Sequence, residues 1–320
     1  MATKMLRHIY SEGQQMAVGG DNQRLVLVTG KGGVGKSLVA AARAHHEFRQ
    51  GQRVLLVELG ETSSYQFMLN MAVDFTPRPS KWGFDVALWS GETCLREYIR
   101  HFVKLDRVVD LFFDNKVMRT FIKAAPALKE LAILGKLTSG IRHWGPPLHY
   151  DVIILDGYST GHFLALLQAP RGMADLVQFG PMGEQSQLIH DTITNPDFTE
   201  IDIVTLPEEM PTTETMELFS TLMSDFSVTP NIIGNRWLEP HLTDEELTHL
   251  EVHLSHQDGP EWQQPLDFVN YLQIKMKRQK ESEQALSALA GHLKYLPLVF
   301  SSDSNFIIES LSSQWGGQHG

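Results

Sequence analysis

Apolar residues in this chain follow two habits: short apolar runs, and longer stretches with apolar positions three and four apart. "RLVLVT" (24–29) is an apolar, β-branched run ending at a glycine, which predicts a buried strand. "SLVAAARAHHEFRQGQ" follows with helix formers and predicts a helix stopping near Gly51. "RVLLVEL" (53–59) is a second buried strand. The segment is therefore a βαβ unit, which requires a parallel sheet. "YDVIILD" (150–156), "EIDIVTLPEE", "TPNIIGNRW" and "KYLPLVF" supply further strand cores, with a charged helical stretch at about 243–291 before the last. The expected fold class is α/β, a doubly wound and mostly parallel sheet.

Residues 92–125 change character, opening a stretch to about 146 that reads as helical. Leu95, Tyr98, Ile99, Phe102, Leu105 and Val109 recur at helical spacing, predicting an amphipathic helix broken near Asp114-Asn115 and continuing to Pro126. "PALKELAILGKLTSGIRHW" predicts another helix. These form a helical insertion in a domain covering 23–320, preceded by a polar arm at 1–22. Phe102, Leu105, Val109, Phe112, Phe113, Met118 and Phe121 either pack as core or form an apolar groove between two chains. Phe112 and Phe113 are adjacent and cannot both point inward on one helix.

The 320 residues are 42 % apolar, enough for a sizeable core. The net charge of −11 argues against a nucleic-acid or anionic-membrane partner held by bulk charge. The single cysteine, Cys94, excludes an intrachain disulfide and an all-cysteine metal site within one chain. No run of eighteen apolar residues is present, and the first 22 residues lack the apolar core of a secretory signal. The expectation is a cytoplasmic protein without an integral membrane segment.

The candidate chemistry lies in "LVLVTGKGGVGKSLVAAA". Its glycines satisfy both G-x-G-x-x-G, the dinucleotide pattern, and G-x-x-x-x-G-K-S, the phosphate-binding P-loop. The residues after the third glycine favour the P-loop: Lys36 is placed to sit over β- and γ-phosphates, and Ser37 to ligate Mg²⁺. Backbone N–H groups from Gly32, Gly33, Val34, Gly35, Lys36 and Ser37 would cradle the phosphates of ATP at a helix N-terminus. The dinucleotide reading keeps one argument, Glu58 at the end of the second strand, where a ribose-binding acid would lie.

Lys31 directly after Gly30 gives G-K-G-G-V-G-K-S, which resembles the deviant P-loop class that includes MinD, ParA, nitrogenase iron protein and the ArsA/Get ATPases, P-loop NTPases of the SIMIBI type. The resemblance implies that Lys31 reaches a partner's nucleotide across a dimer. A second cation there would neutralise charge on the transferred phosphoryl group. "YDVIILDGYSTGHFLALLQAP" resembles the ArsA/Get switch segment D-x-x-x-T-G-H. This implies that Asp156 holds Mg²⁺ through water and that Thr160, Gly161 and His162 sense the γ-phosphate. "APALKELAILGKL" and "VTLPEEMPTTETMEL" are similar to further family segments, "IIGNRW" places Asn235 where relatives bond adenine, and "YLPLVF" with Pro297 resembles the loop that closes over the base. The implied protein is a dimeric ATPase, homodimer or heterodimer with a related subunit, whose nucleotide state gates a client bound through the insertion.

The departures from the family pattern carry information. Relatives have a water-positioning acid where "VELGETSS" has Gly60, flanked by Glu58 and Glu61, so slow hydrolysis and a non-hydrolysing, ATP-holding regulatory subunit are both open. Tyr158 replaces the commoner proline in "DGYST". Arsenite needs soft thiolates that Cys94 alone does not supply. The zinc-clasping C-x-x-C of the tail-anchored targeting factors and the cluster cysteines of nitrogenase iron protein are missing, and "SNFIIESLSSQW" is too short and acidic for MinD-type membrane docking. A ParA-like partitioning ATPase is a more distant alternative.

Overall fold

A computed structural model describes residues 23–103, 113–116, 127–177, 180–239, 242–289 and 292–316. Within these residues the strands are β1 (Arg24–Gly30), β2 (Val54–Leu59), β3 (Arg78–Pro79), β4 (Asp85–Trp89), β5 (Val152–Asp156), β6 (Thr199–Thr205), β7 (Asn231–Trp237) and β8 (Leu293–Pro297). They form one sheet in the order β3-β4-β2-β5-β1-β6-β7-β8. Every neighbouring pair is parallel except β3 with β4. The expected doubly wound, mostly parallel sheet is present.

Successive side chains of a strand point to opposite faces, and the central strands show this residue by residue. Leu25, Leu27, Leu55, Val57, Ile153 and Leu155 enter one core, whereas Val26, Val28, Val54, Leu56, Val152 and Ile154 enter the other. Because both faces are covered, the runs are continuously apolar instead of alternating. Helices α1 (Lys36–Arg49) and, at the C-terminal end of the described chain, α11 (Ser304–Trp315) pack together on the second core. The other face is covered by α4 (Ala127–Leu137), α6 (Thr160–Leu176), α7 (Pro181–Thr194) and α8 (Glu209–Phe226). The short helices α2 (Tyr65–Met68) and α5 (Ser139–Arg142) join larger elements.

The stretch 92–146, expected as a helical insertion, lies between β4 and β5 and includes most of α3 (Gly91–Val103), which packs against α4. Phe113 is buried, against Leu95 and Ile99. Leu105, Val109, Phe112, Met118, Phe121 and the side chain of Phe102 lie outside the described residues, as does the 1–22 arm. The charged stretch is two helices, α9 (Asp244–Ser255) and α10 (Gln263–Ser287). A capping box of Thr243 and Glu246 starts α9, and a turn at Pro260 separates the pair. β3 and β4 are an addition to the sequence reading: they extend the sheet beyond β2.

Candidate phosphate-binding site

The loop between β1 and α1 is built around glycine backbone. Gly30, Gly33 and Gly35 have φ of +138°, +87° and +92°, conformations that L side chains avoid. A Cβ on Gly30 would stand 2.1 Å from the Val204 carbonyl oxygen of β6. One on Gly35 would stand 2.5 Å from Nδ2 of Asn235. That amide, buried at the end of β7, donates to the Val34 carbonyl at 2.8 Å, and its Oδ1 accepts from the Arg236 N–H at 3.0 Å. Asn235 thus clasps the loop from beneath. Nothing lies within 4 Å of a Cβ on Gly32, so the loop is open on that side. With Gly35 capping α1 through its backbone, the first N–H groups of α1 face into the loop.

The two lysines of the loop are disposed differently. Lys36 Nζ turns inward and donates to the carbonyls of Gly30 at 3.2 Å and Lys31 at 3.1 Å. Burial lowers its pKa, and the Asp156 carboxylate opposes that. Lys31 instead forms an ion pair with Glu214 on α8. Beside it a cleft of about 460 Å³ opens between the loop, Glu208 of the β6–α8 turn, Met210 at the start of α8, and Arg278 of α10.

Asp156 ends β5 and is buried, in register with Val28 on one side and Glu58 on the other. Burial, with the nearby Glu58 charge, pushes its carboxyl up to about 6 against hydrogen bonds from Ser37 and Tyr65 and the charge of Lys36. The buried Tyr65 hydroxyl lies 2.9 Å from the Ser37 carbonyl and 3.1 Å from Asp156 Oδ2, tying α2 to the start of α1 and the end of β5. An all-oxygen set of the Ser37 hydroxyl and the buried Asp156 carboxylate fits a hard divalent ion such as Mg²⁺. Among the described residues no group of three or more His, Cys, Asp or Glu converges on one point, so such an ion would take its remaining ligands from water and phosphate.

Glu58 is engaged locally. Its carboxylate accepts from Ser63 Oγ, the Ser64 N–H and Ser64 Oγ, holding the loop after β2. Glu61 is exposed, within electrostatic reach of Tyr158. The Gly60 N–H donates to the Trp89 carbonyl at 3.0 Å. The Trp89 ring carries the buried Lys136 ammonium of α4 at 4.4 Å, and Lys136 pairs with Glu97 of α3 at 2.5 Å. A chain of contacts thus runs from the loop after β2 into the helical insertion.

The segment after β5 is tied back to β1: the Gly157 N–H donates to the Val28 carbonyl at 2.8 Å and Thr29 Oγ1 to the Tyr158 carbonyl at 2.9 Å. Thr160, Gly161 and His162 form the first turn of α6, with Thr160 half-buried and the other two exposed. The His162 and Tyr158 rings lie 6.1 Å apart. Pro297 ends β8 in register with Trp237, which stacks on Tyr295 at 4.3 Å.

Lys36, Ser37, Glu58 and Asp156 are therefore gathered at the ends of β1, β2 and β5, with Lys31 at the cleft and Asn235 under the loop. Tyr65, Ser63, Ser64 and Glu214 were not singled out from sequence. Their roles come from tertiary approach across 5 to 183 positions, and no local spacing marks them.

The parallel sheet, glycine loop, lysine and buried strand-end aspartate define a P-loop NTPase-type α/β protein. Residues 23–182 match the anion-transporting ATPase (ArsA) family, and the chain belongs to it. It is 28% identical over 244 residues to ATPase BagA of Mycobacterium tuberculosis, covering 70% of this chain and 68% of that one. It is 30% identical over 161 residues to the arsenical pump-driving ATPase of Acidiphilium multivorum, covering 49% of this chain and 27% of the other. An Escherichia coli arsenical pump-driving ATPase is 27% identical over the same length. Family membership supports an ATPase and implies nucleotide binding. Among the described residues no helix is long and apolar enough to cross a membrane.

Proposed function

We propose that this chain binds ATP with Mg²⁺ and hydrolyses it slowly, as a cytoplasmic homodimer or heterodimer with a related ATPase subunit, and that its nucleotide state gates a protein client at the helical insertion. The observation that carries this reading is the convergence of Lys36, Ser37 and Asp156 at the glycine loop. N–H groups of Gly32 to Ser37 bind phosphate oxygens, and Lys36 leaves its loop carbonyls to meet them. Ser37 and Asp156 would hold Mg²⁺, which when bound neutralises phosphate charge. Lys31 acts on the nucleotide of the neighbouring chain. Asn235 has one amide proton beyond that given to Val34 and offers it to adenine, with Pro297, the last residue of β8, beside the base. Thr160, Gly161 and His162 move with the γ-phosphate, and contacts from Gly60 through Trp89 to Lys136 carry motion into the insertion.

Gly60 favours a second reading, an ATP-holding regulatory subunit that does not hydrolyse, because Glu58 is held by Ser63 and Ser64 and, of the two acids flanking Gly60, Glu61 is the one free of that network to orient water. Single-turnover phosphate release with Mg-ATP separates the two. Slow release abolished by Lys36→Ala supports the enzyme; no release from the wild type supports the regulatory subunit.

A further inference from the structure

Lys31 already has a carboxylate partner in its own chain. Glu214 comes from the second turn of α8, 183 positions away, and pairs with Lys31 Nζ. The lysine side chain is 26% exposed and the glutamate 32%, so neither is sealed in. Glu208, the other acid of α8's approach to the cleft with a cation of its own, is engaged by Lys275 at 3.1 Å. The Lys31 main chain is held as well, because its carbonyl accepts from Lys36 at 3.1 Å. Only the Lys31 side chain is left to swing, and what it must leave is Glu214.

Part-exposed ion pairs hold weakly. The phosphates of a triphosphate offer more charge and more acceptor oxygens than one carboxylate. A pair of this kind therefore biases Lys31 in a lone chain and is replaceable at an interface. We propose that Glu214 is a positioning residue: it keeps Lys31 on its own chain until the phosphates of ATP on a neighbouring chain displace it, and so sets the ATP and protein concentrations at which the dimer forms. This rests on the reading of Lys31 as a lysine offered in trans.

Two measurements test it. Zero-length carbodiimide coupling of the nucleotide-free protein, read by peptide mass spectrometry, is expected to join Lys31 to Glu214 within one chain, and Mg-ATP is expected to suppress that link. Sedimentation of the full chain with Mg-ATP is expected to show Glu214→Gln dimerising at about threefold to fivefold lower concentration than the wild type. Glu214→Gln is expected to change nothing in a Lys31→Ala background. A wild type that dimerises with ATP while Glu214→Gln matches it or dimerises less well overturns the role of Glu214 and leaves Lys31 in trans. A wild type that stays monomeric with ATP overturns the trans reading itself, and the role of Glu214 with it. An intrachain link that persists undiminished in the ATP-bound dimer contradicts the exchange of partners.

Discussion

Glu58 and Asp156 stand in register on adjacent parallel strands, both buried at the carboxyl end of the sheet, yet they are held by different partners. Ser63 and Ser64 surround the first. Ser37 and Tyr65 hydrogen-bond the second, whose pKa burial raises, with the charge of the first adding to it. One carboxylate shapes a loop and the other faces the phosphate loop, so substitutions at the two positions should behave differently.

Glu58→Ala leaves two hydroxyls and a backbone N–H without their acceptor, and is expected to cost about 2–4 kcal/mol of unfolding free energy. Glu58→Gln keeps one acceptor oxygen and costs less. Glu61→Gln, at an exposed position, should stay within about 0.5 kcal/mol of wild type. Urea unfolding checks all three. A fall in phosphate release for Glu61→Gln at unchanged stability would assign water positioning to Glu61; equal stability of Glu58→Ala and wild type would contradict the loop-holding role.

Two loop glycines should separate folding from binding. Gly30→Ala pushes a methyl to 2.1 Å from the Val204 carbonyl oxygen at φ +138° and is expected to destabilise by about 3 kcal/mol or more. Gly32→Ala meets nothing within 4 Å and is expected to fold with a change of about 1 kcal/mol or less, while losing nucleotide affinity if its methyl stands in the proposed phosphate cradle. Thermal melts beside nucleotide titrations give both quantities. A Gly30→Ala variant as stable as wild type would contradict the packing of β1 on β6.

Burial pushes the Cys94 thiol up to about 12, against the charge of Lys136. The native protein at pH 8 should therefore be inert to an aromatic disulfide reagent, and the unfolded chain should titrate one thiol. The sign for stability follows. Between about pH 9 and 12 the unfolded thiol loses its proton and the native one keeps it, so this group lowers stability as pH rises through that window, by up to about 1.4 kcal/mol per pH unit. Rapid reaction of Cys94 in the native protein would contradict its burial.

The continuous apolar runs of β1, β2 and β5 were legible because both their faces are covered, and the loop chemistry was legible because the glycine and lysine spacing lies within eight residues. β4 was not. "DVALW" is five residues after a turn-rich stretch, and its place is set by pairing with β2, which no local pattern encodes. The same holds for Tyr65, whose hydroxyl matters only because β5 brings Asp156 to it. The lysine after Gly30 was legible as a motif, but its glutamate partner on α8 depends on how that helix lies over β6.

The phosphate site at the amino end of α1 is tested most directly by calorimetric titration of the full chain with ATP in the presence and absence of Mg²⁺, beside Lys36→Ala. Saturable binding, stronger with Mg²⁺ and lost in Lys36→Ala, is the predicted result. Equal binding by both proteins, or none by the wild type, would contradict a phosphate site at the amino end of α1.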